Sequence, residues 1–146
     1  MVFKLIENRG LTIIELLVVL TLISLVLLIV IPKIKTNDYE LLAQSKKLCN
    51  DIRKIRILQM SEGGNYRILL NEKGYMILKG TIQISKVDLK ENYKIICSKK
   101  EIMFKFNGAP SYGGTTITVL DLETGRYCEI TIVPASGRVH MTDVIH

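Results

Sequence analysis

The chain has 146 residues, is 48% hydrophobic by residue and carries a formal charge of +6. That length allows one ordinary domain rather than several. There is no P-loop, no Gly-Xaa-Ser-Xaa-Gly elbow and no His/Cys cluster at metal-ligand spacing, so enzyme classes with those signatures are set aside and no cofactor is expected.

From Leu11 to Ile31 only Thr12, Glu15, Thr21 and Ser24 are not aliphatic. At about 1.5 Å per residue the run makes a helix of roughly 30 Å, the thickness of a hydrocarbon core, so a membrane-spanning helix is expected. Pro32 then kinks or interrupts it. The run is longer than a secretory h-region, and the following IPKIKTNDYE offers no small-x-small cleavage site. Lys4 and Arg9 against Glu7 favour a cytoplasmic N-terminus, although Lys33 and Lys35 pull the other way. Glu15 is the anomaly, since a carboxylate near the start of such a segment costs a few kcal/mol. Thr12 stands three residues before it, the spacing of a capping box in which each side chain satisfies the other residue's backbone N–H.

From Thr36 to Ser61 the apolar residues Leu41, Leu48, Ile52 and Ile55, flanked by Leu42, Cys49 and Leu58, recur at helical spacing. Lys46, Lys47, Arg53, Lys54 and Arg56 fall mostly on the other face, and Gly63-Gly64 closes the helix. Together with the apolar run this predicts one long N-terminal helix, hydrophobic first and amphipathic afterwards. Short β-rich runs follow. NYRILL and GYMILK flank the turn around Asn71-Glu72-Lys73-Gly74, a predicted hairpin. TIQISKV, NYKIIC and EIMFKF come next, then the irregular loop NGAPSYGG. TTITVLDL and RYCEITIV flank Glu123-Thr124-Gly125, a second predicted hairpin, and PASG leads to RVHMTDVIH. A helix followed by consecutive strands predicts an α+β domain with an antiparallel meander on the amphipathic helix.

Other residues carry less. Cys49, Cys97 and Cys128 have no metal-ligand spacing and read as buried small apolar residues, with one disulfide pairing left open. His140 and His146 read as surface residues, as do Tyr112 and the lysines of Ser98-Lys99-Lys100. Beyond Pro32, Lys and Arg number 18 against 12 Asp and Glu. Spread through every segment, they read as a solvated surface, with DNA left open as a partner.

The order of short basic leader, Gly10, a hydrophobic residue, Thr12, two aliphatics, Glu15 and Leu16, with Pro32 after the apolar run, resembles the prepilin signal of type IV pilins and pseudopilins. Leu11 stands where the family most often has phenylalanine. The order EIMFKFNG, a glycine-rich loop, TTITVLDLETGR and EITIVPASGRV is similar to the sheet of H-type minor pseudopilins and fimbrial-biogenesis minor pilins. The resemblance implies a pilin-like fold in three parts: a leader (1–10), a membrane and filament-core helix (11–32), and a globular domain (33–146) whose helix runs to about 62. It implies cleavage between Gly10 and Leu11 by a prepilin peptidase, N-methylation of Leu11, and a role for Glu15 in setting register against a neighbour's amino terminus. The implied partners are other pilin or pseudopilin subunits, the peptidase, an assembly platform with its ATPase, and the membrane. The implied system is a type IV pilus, type II secretion or competence, and the implied role is structural rather than enzymatic. An unprocessed single-pass protein with an outer binding domain is the rival.

Overall fold

A computed structural model describes residues 12–30 and 36–142 of the chain. They fall into two compact units divided after Thr36. The first contains helix α1 (Ile13–Val30). The second holds all but the first residue of helix α2 (Thr36–Glu62) and continues through β1 (Tyr66–Asn71), β2 (Gly74–Lys79), β3 (Ile82–Asp88), β4 (Tyr93–Cys97), β5 (Glu101–Met103), β6 (Thr115–Asp121), β7 (Tyr127–Ile132) and β8 (Val139–Met141). The chain is α+β, as its pattern predicts. Whether α1 and α2 form one helix depends on residues 31–35, which lie outside the described residues.

The predicted stripe of α2 is its buried face. Leu41, Leu48, Cys49, Ile52 and Ile55 are all at most 2% exposed, with Ser45 and Gln59 on the same line. Each fully buried aliphatic side chain contributes about 1.5–3 kcal/mol. The two polar members are satisfied locally. Ser45 Oγ donates to the Leu41 carbonyl at 2.8 Å, and Gln59 Oε1 accepts the N–H of Tyr66 at 2.9 Å, tying the helix end to the first strand. Gly63 ends α2 as the sequence predicts, at φ 64°, a conformation that costs glycine little because it lacks a Cβ.

The strands form two four-stranded antiparallel sheets rather than one meander. Sheet A has the order β3-β2-β1-β5 and sheet B the order β4-β6-β7-β8. Both predicted hairpins are present: Asn71 pairs with Gly74 across the β1–β2 turn, and Leu120 with Tyr127 across the β6–β7 turn. The departure is at β4 and β5. β4 leaves sheet A to pair with β6, and β5 returns to pair with β1, Ile68 opposite Ile102. That choice depends on partners distant in sequence, which strand patterning does not encode. EIMFKF is correspondingly shorter as a strand than predicted, and Phe104 instead makes an isolated bridge to Pro110.

A single core joins the layers. Ile52 and Ile55 of α2 share it with Ile68, Ile77 and Ile102 of sheet A, and with Ile95, Ile117, Val119, Ile130 and Ile132 of sheet B. Along β6 from Ile117 and along β7 the burial alternates, so each strand turns one face to this core.

Candidate functional site: the head of the apolar helix

Helix α1 begins at Ile13, which makes Thr12 its N-cap and Glu15 its third residue. The capping box is fully formed. Thr12 donates its backbone N–H to Glu15 Oε2 at 2.9 Å and its hydroxyl to the same oxygen at 3.0 Å; the N–H of Glu15 donates back to Thr12 Oγ1 at 3.3 Å. Leu16 closes the first turn by donating to the Thr12 carbonyl at 3.1 Å. A carboxylate here also faces the positive end of the helix dipole. Helix geometry therefore places Glu15 at the one point of an apolar helix where its charge is best tolerated.

The other two polar side chains of α1 are turned inward along its own backbone. Thr21 Oγ1 donates to the Val18 carbonyl and Ser24 Oγ to the Leu20 carbonyl, both at 2.8 Å. The aliphatic side chains from Ile13 to Leu27 are meanwhile all exposed, on every side of the helix. A helix apolar all round belongs in lipid or in a protein interior. Among the described residues no helix is both long and apolar enough to cross a membrane, and the side chains of α1 are described only as far as Leu27.

Of the residues singled out from the sequence, the structure places Glu15 and its Thr12 partner. Gly10, Leu11 and Pro32 lie outside the described residues, as does the leader 1–10.

Residues 7–31 match the prokaryotic N-terminal methylation motif, the segment that carries both Gly10-Leu11 and the Thr12–Glu15 box. The fold is similar to that of the minor pseudopilin EpsH from the type 2 secretion system of Vibrio cholerae. That similarity has a TM-score of 0.61 at 11% identity, covering 70% of this chain and 96% of that one. The chain carries a prepilin-type N-terminal motif and a domain whose fold is similar to that of a pseudopilin. No curated protein is significantly similar to it in sequence.

The fold also gives a different role to basic residues that the sequence places on a solvated surface. Arg53 and Arg56 of α2, read as solvated, instead hold loops. Arg53 Nη2 donates to the Val139 carbonyl at 3.1 Å. Arg56 donates through Nε to Gly108 and through Nη2 to Ser136, both at 3.0 Å. The NGAPSYGG loop and the PASGR turn thus meet over one guanidinium. A further clamp joins Arg126, in the β6–β7 turn, to Asp38 at the start of α2. No sequence signal marks these arginines, because their acceptors are backbone carbonyls or carboxylates 52 to 88 residues away.

The remaining candidates are structural. No disulfide is formed: Cys49 and Cys128 sit in the core, while Cys97 is only partly buried, unlike its prediction. Tyr112 is exposed, and so is His140. Many cations are already engaged, including Lys79 with Glu62, Lys90 with Glu40 and Lys94 with Glu72, so the positive surplus is spread rather than gathered into one stripe. Among the described residues no cluster of acidic, His or Cys side chains could hold a metal ion.

Proposed function

We propose that this chain is a minor pilin or pseudopilin, a structural subunit that is processed and then built into a filament. One observation carries the reading: a methylation-motif helix, capped by Thr12 and Glu15 and apolar on every face, shares a chain with a pseudopilin-fold domain. In this reading a prepilin peptidase cuts between Gly10 and Leu11 on the cytoplasmic side, where a residue without a side chain suits a tight cleft. The new amino group on Leu11 is N-methylated. The segment 11–32 first holds the subunit in the cytoplasmic membrane, single-pass with a cytoplasmic N-terminus, and later lies in the filament core, with Pro32 marking its end. Both surroundings are apolar, so transfer between them costs little. An assembly platform and its ATPase drive that transfer.

Glu15 supplies register. Its carboxylate answers the amino terminus of a neighbouring subunit, a pairing whose desolvation cost offsets much of the Coulomb gain but which only one alignment satisfies. The subunit's work is assembly rather than catalysis. Type II secretion, the system from which the similar solved structure comes, is the machine favoured here.

The deciding experiment is intact-mass analysis of the chain after expression with an active prepilin peptidase. Loss of residues 1–10, with one added methyl group, is expected. A chain that keeps Met1 beside a working peptidase is an unprocessed single-pass protein, and the filament reading falls.

A further inference from the structure

Strand β3 is the outermost strand of sheet A and pairs with β2 alone. Among the described strands it is the one with no buried residue: its side chains are exposed apart from the half-buried Ser85 and Val87. The direction of its backbone follows from the residue just beyond it. Leu89 donates its N–H to the carbonyl of Lys73, immediately before β2, at 2.8 Å. Alternate residues of a strand point their N–H and C=O groups the same way. Val87 therefore faces β2, opposite Tyr75, while Lys86 and Asp88 face away from the sheet. Among the described residues no backbone carbonyl accepts either outward N–H. The edge strand β4 differs, since its Tyr93 and Ile95 already donate to the Lys90 and Glu72 carbonyls. Toward the start of β3 the register shifts. Ile77 lies opposite Ser85 and Leu78 opposite Gln83, so Ile84 is an extra residue and the regular edge begins at Ser85.

Charge then restricts what this edge accepts. Lys86 and Asp88 lie on one face of the strand, their charged groups 3.0 Å apart and both well exposed. An edge lysine rejects most strands. A second copy of the same edge, run antiparallel, is a strand it admits. A two-fold axis through Val87 sets Lys86 opposite Asp88 of the second copy, and Asp88 opposite its Lys86. In each of these pairs the outward N–H and C=O groups point at one another. Axes through Lys86 or Asp88 would also align backbone groups, but they set lysine against lysine or aspartate against aspartate, which is destabilising. The register centred on Val87 satisfies backbone and charge together.

We propose that β3 pairs antiparallel with β3 of a second copy of this chain, in the register centred on Val87. The contact is self-complementary, as a two-fold dimer requires. It is also short, so the dimer is a weak one that forms as the protein is concentrated. Lys86 and the extra residue Ile84 keep other strands off this edge, and Asp88 of the second copy lifts the exclusion for that copy alone. The proposal does not depend on processing of the leader or on filament assembly.

The test uses the full chain in a nonionic detergent and follows hydrogen exchange of backbone amides by NMR as the protein concentration rises. The Lys86 and Asp88 amides are expected to become protected with concentration. Association through the apolar helix α1 alone would leave them unchanged, and that result overturns the proposal. Asp88→Lys and Lys86→Asp each place like charges opposite one another and should each weaken the pairing by about tenfold. Mixed in equal amounts the two variants are complementary, and protection should return to that of the parent. Recovery on mixing also shows that both exposed substitutions leave the fold intact. Absence of protection at millimolar concentration and low salt overturns the proposal. So do variants that pair as well as the parent, or a mixture that pairs no better than its components.

Discussion

Arg56 on α2 donates from Nε to the carbonyl of Gly108, 52 residues later, at a distance of 3.0 Å. The same guanidinium reaches Ser136, and the Cα of Gly137 lies so close to Gly108 that a Cβ there would run into its carbonyl oxygen. One side chain on the helix thereby joins the β5–β6 loop, which links the two sheets, to the β7–β8 turn of sheet B.

Removing that junction should cost stability without altering the strands. Arg56→Met keeps the aliphatic stem and loses two hydrogen bonds to backbone, an expected loss of about 1–3 kcal/mol. Urea unfolding of the full chain in detergent measures it as a lowered midpoint with an unchanged slope. An unchanged midpoint would show that the two carbonyls are equally well served by water.

Two glycines separate strain from collision. Gly125 and Gly137 both have positive φ, 71° and 63°, but a Cβ on Gly125 meets open space. Gly125→Ala should cost only the left-handed penalty, about 1–2 kcal/mol. Gly137→Ala adds a clash with backbone that cannot rotate away, so it should destabilise clearly more. Equal midpoints for the two variants would disprove the close approach.

Asp121 is buried, and burial by itself would raise its pKa. The Thr124 hydroxyl at 2.7 Å, the Glu123 N–H at 2.9 Å and the charge of Arg126 outweigh it and hold the carboxyl below its ordinary value. A folded pKa below the unfolded one gives stability that is complete above the unfolded value and is lost as pH falls through the folded one. Stability should therefore decline on acidification in the low carboxylate range. Asp121→Asn should flatten that decline while lowering stability at neutral pH. A variant with the same acid profile as the parent would assign the acid sensitivity elsewhere.

Tyr75 is 3% exposed and donates its hydroxyl to Asp51 Oδ2 at 2.5 Å. Burial first, and then the Asp51 carboxylate, push its ionisation above the ordinary phenol range. The stability this represents is present below the unfolded pKa and is lost as pH rises above it. Burial, with Glu40, Asp121 and Glu123 nearby, also raises the pKa of Tyr93, so in a phenolate absorbance titration these two tyrosines should ionise only when the domain unfolds. Tyr75→Phe should diminish that late step by one tyrosine and cost about 1–2 kcal/mol.

At the head of α1 the capping box and the proposed register role of Glu15 are tested by different substitutions. Thr12→Ala removes the cap and should lower stability of the first turn by about 1 kcal/mol. Under the proposed function, Glu15→Ala should still be cut between Gly10 and Leu11, yet enter filaments poorly. Mass analysis reads the first outcome and co-purification with assembled filaments the second. Full incorporation of Glu15→Ala would refute the register role.

The Thr12–Glu15 box, the buried stripe of α2 and the two hairpins were legible in the residues alone. Each is a relation between positions two to seven apart, and local geometry dictates what such spacings can do. The same locality made the methylation motif readable and the α+β class predictable. What the sequence could not settle was the pairing of β5 with β1 and β4 with β6, which turned a single meander into two sheets. It also could not show that Arg53 and Arg56 leave solvent for distant carbonyls, or that β3 lies at the edge of its sheet. Those outcomes come from competition among partners far apart in the chain. Only the folded core, by fixing which surfaces meet, decides it.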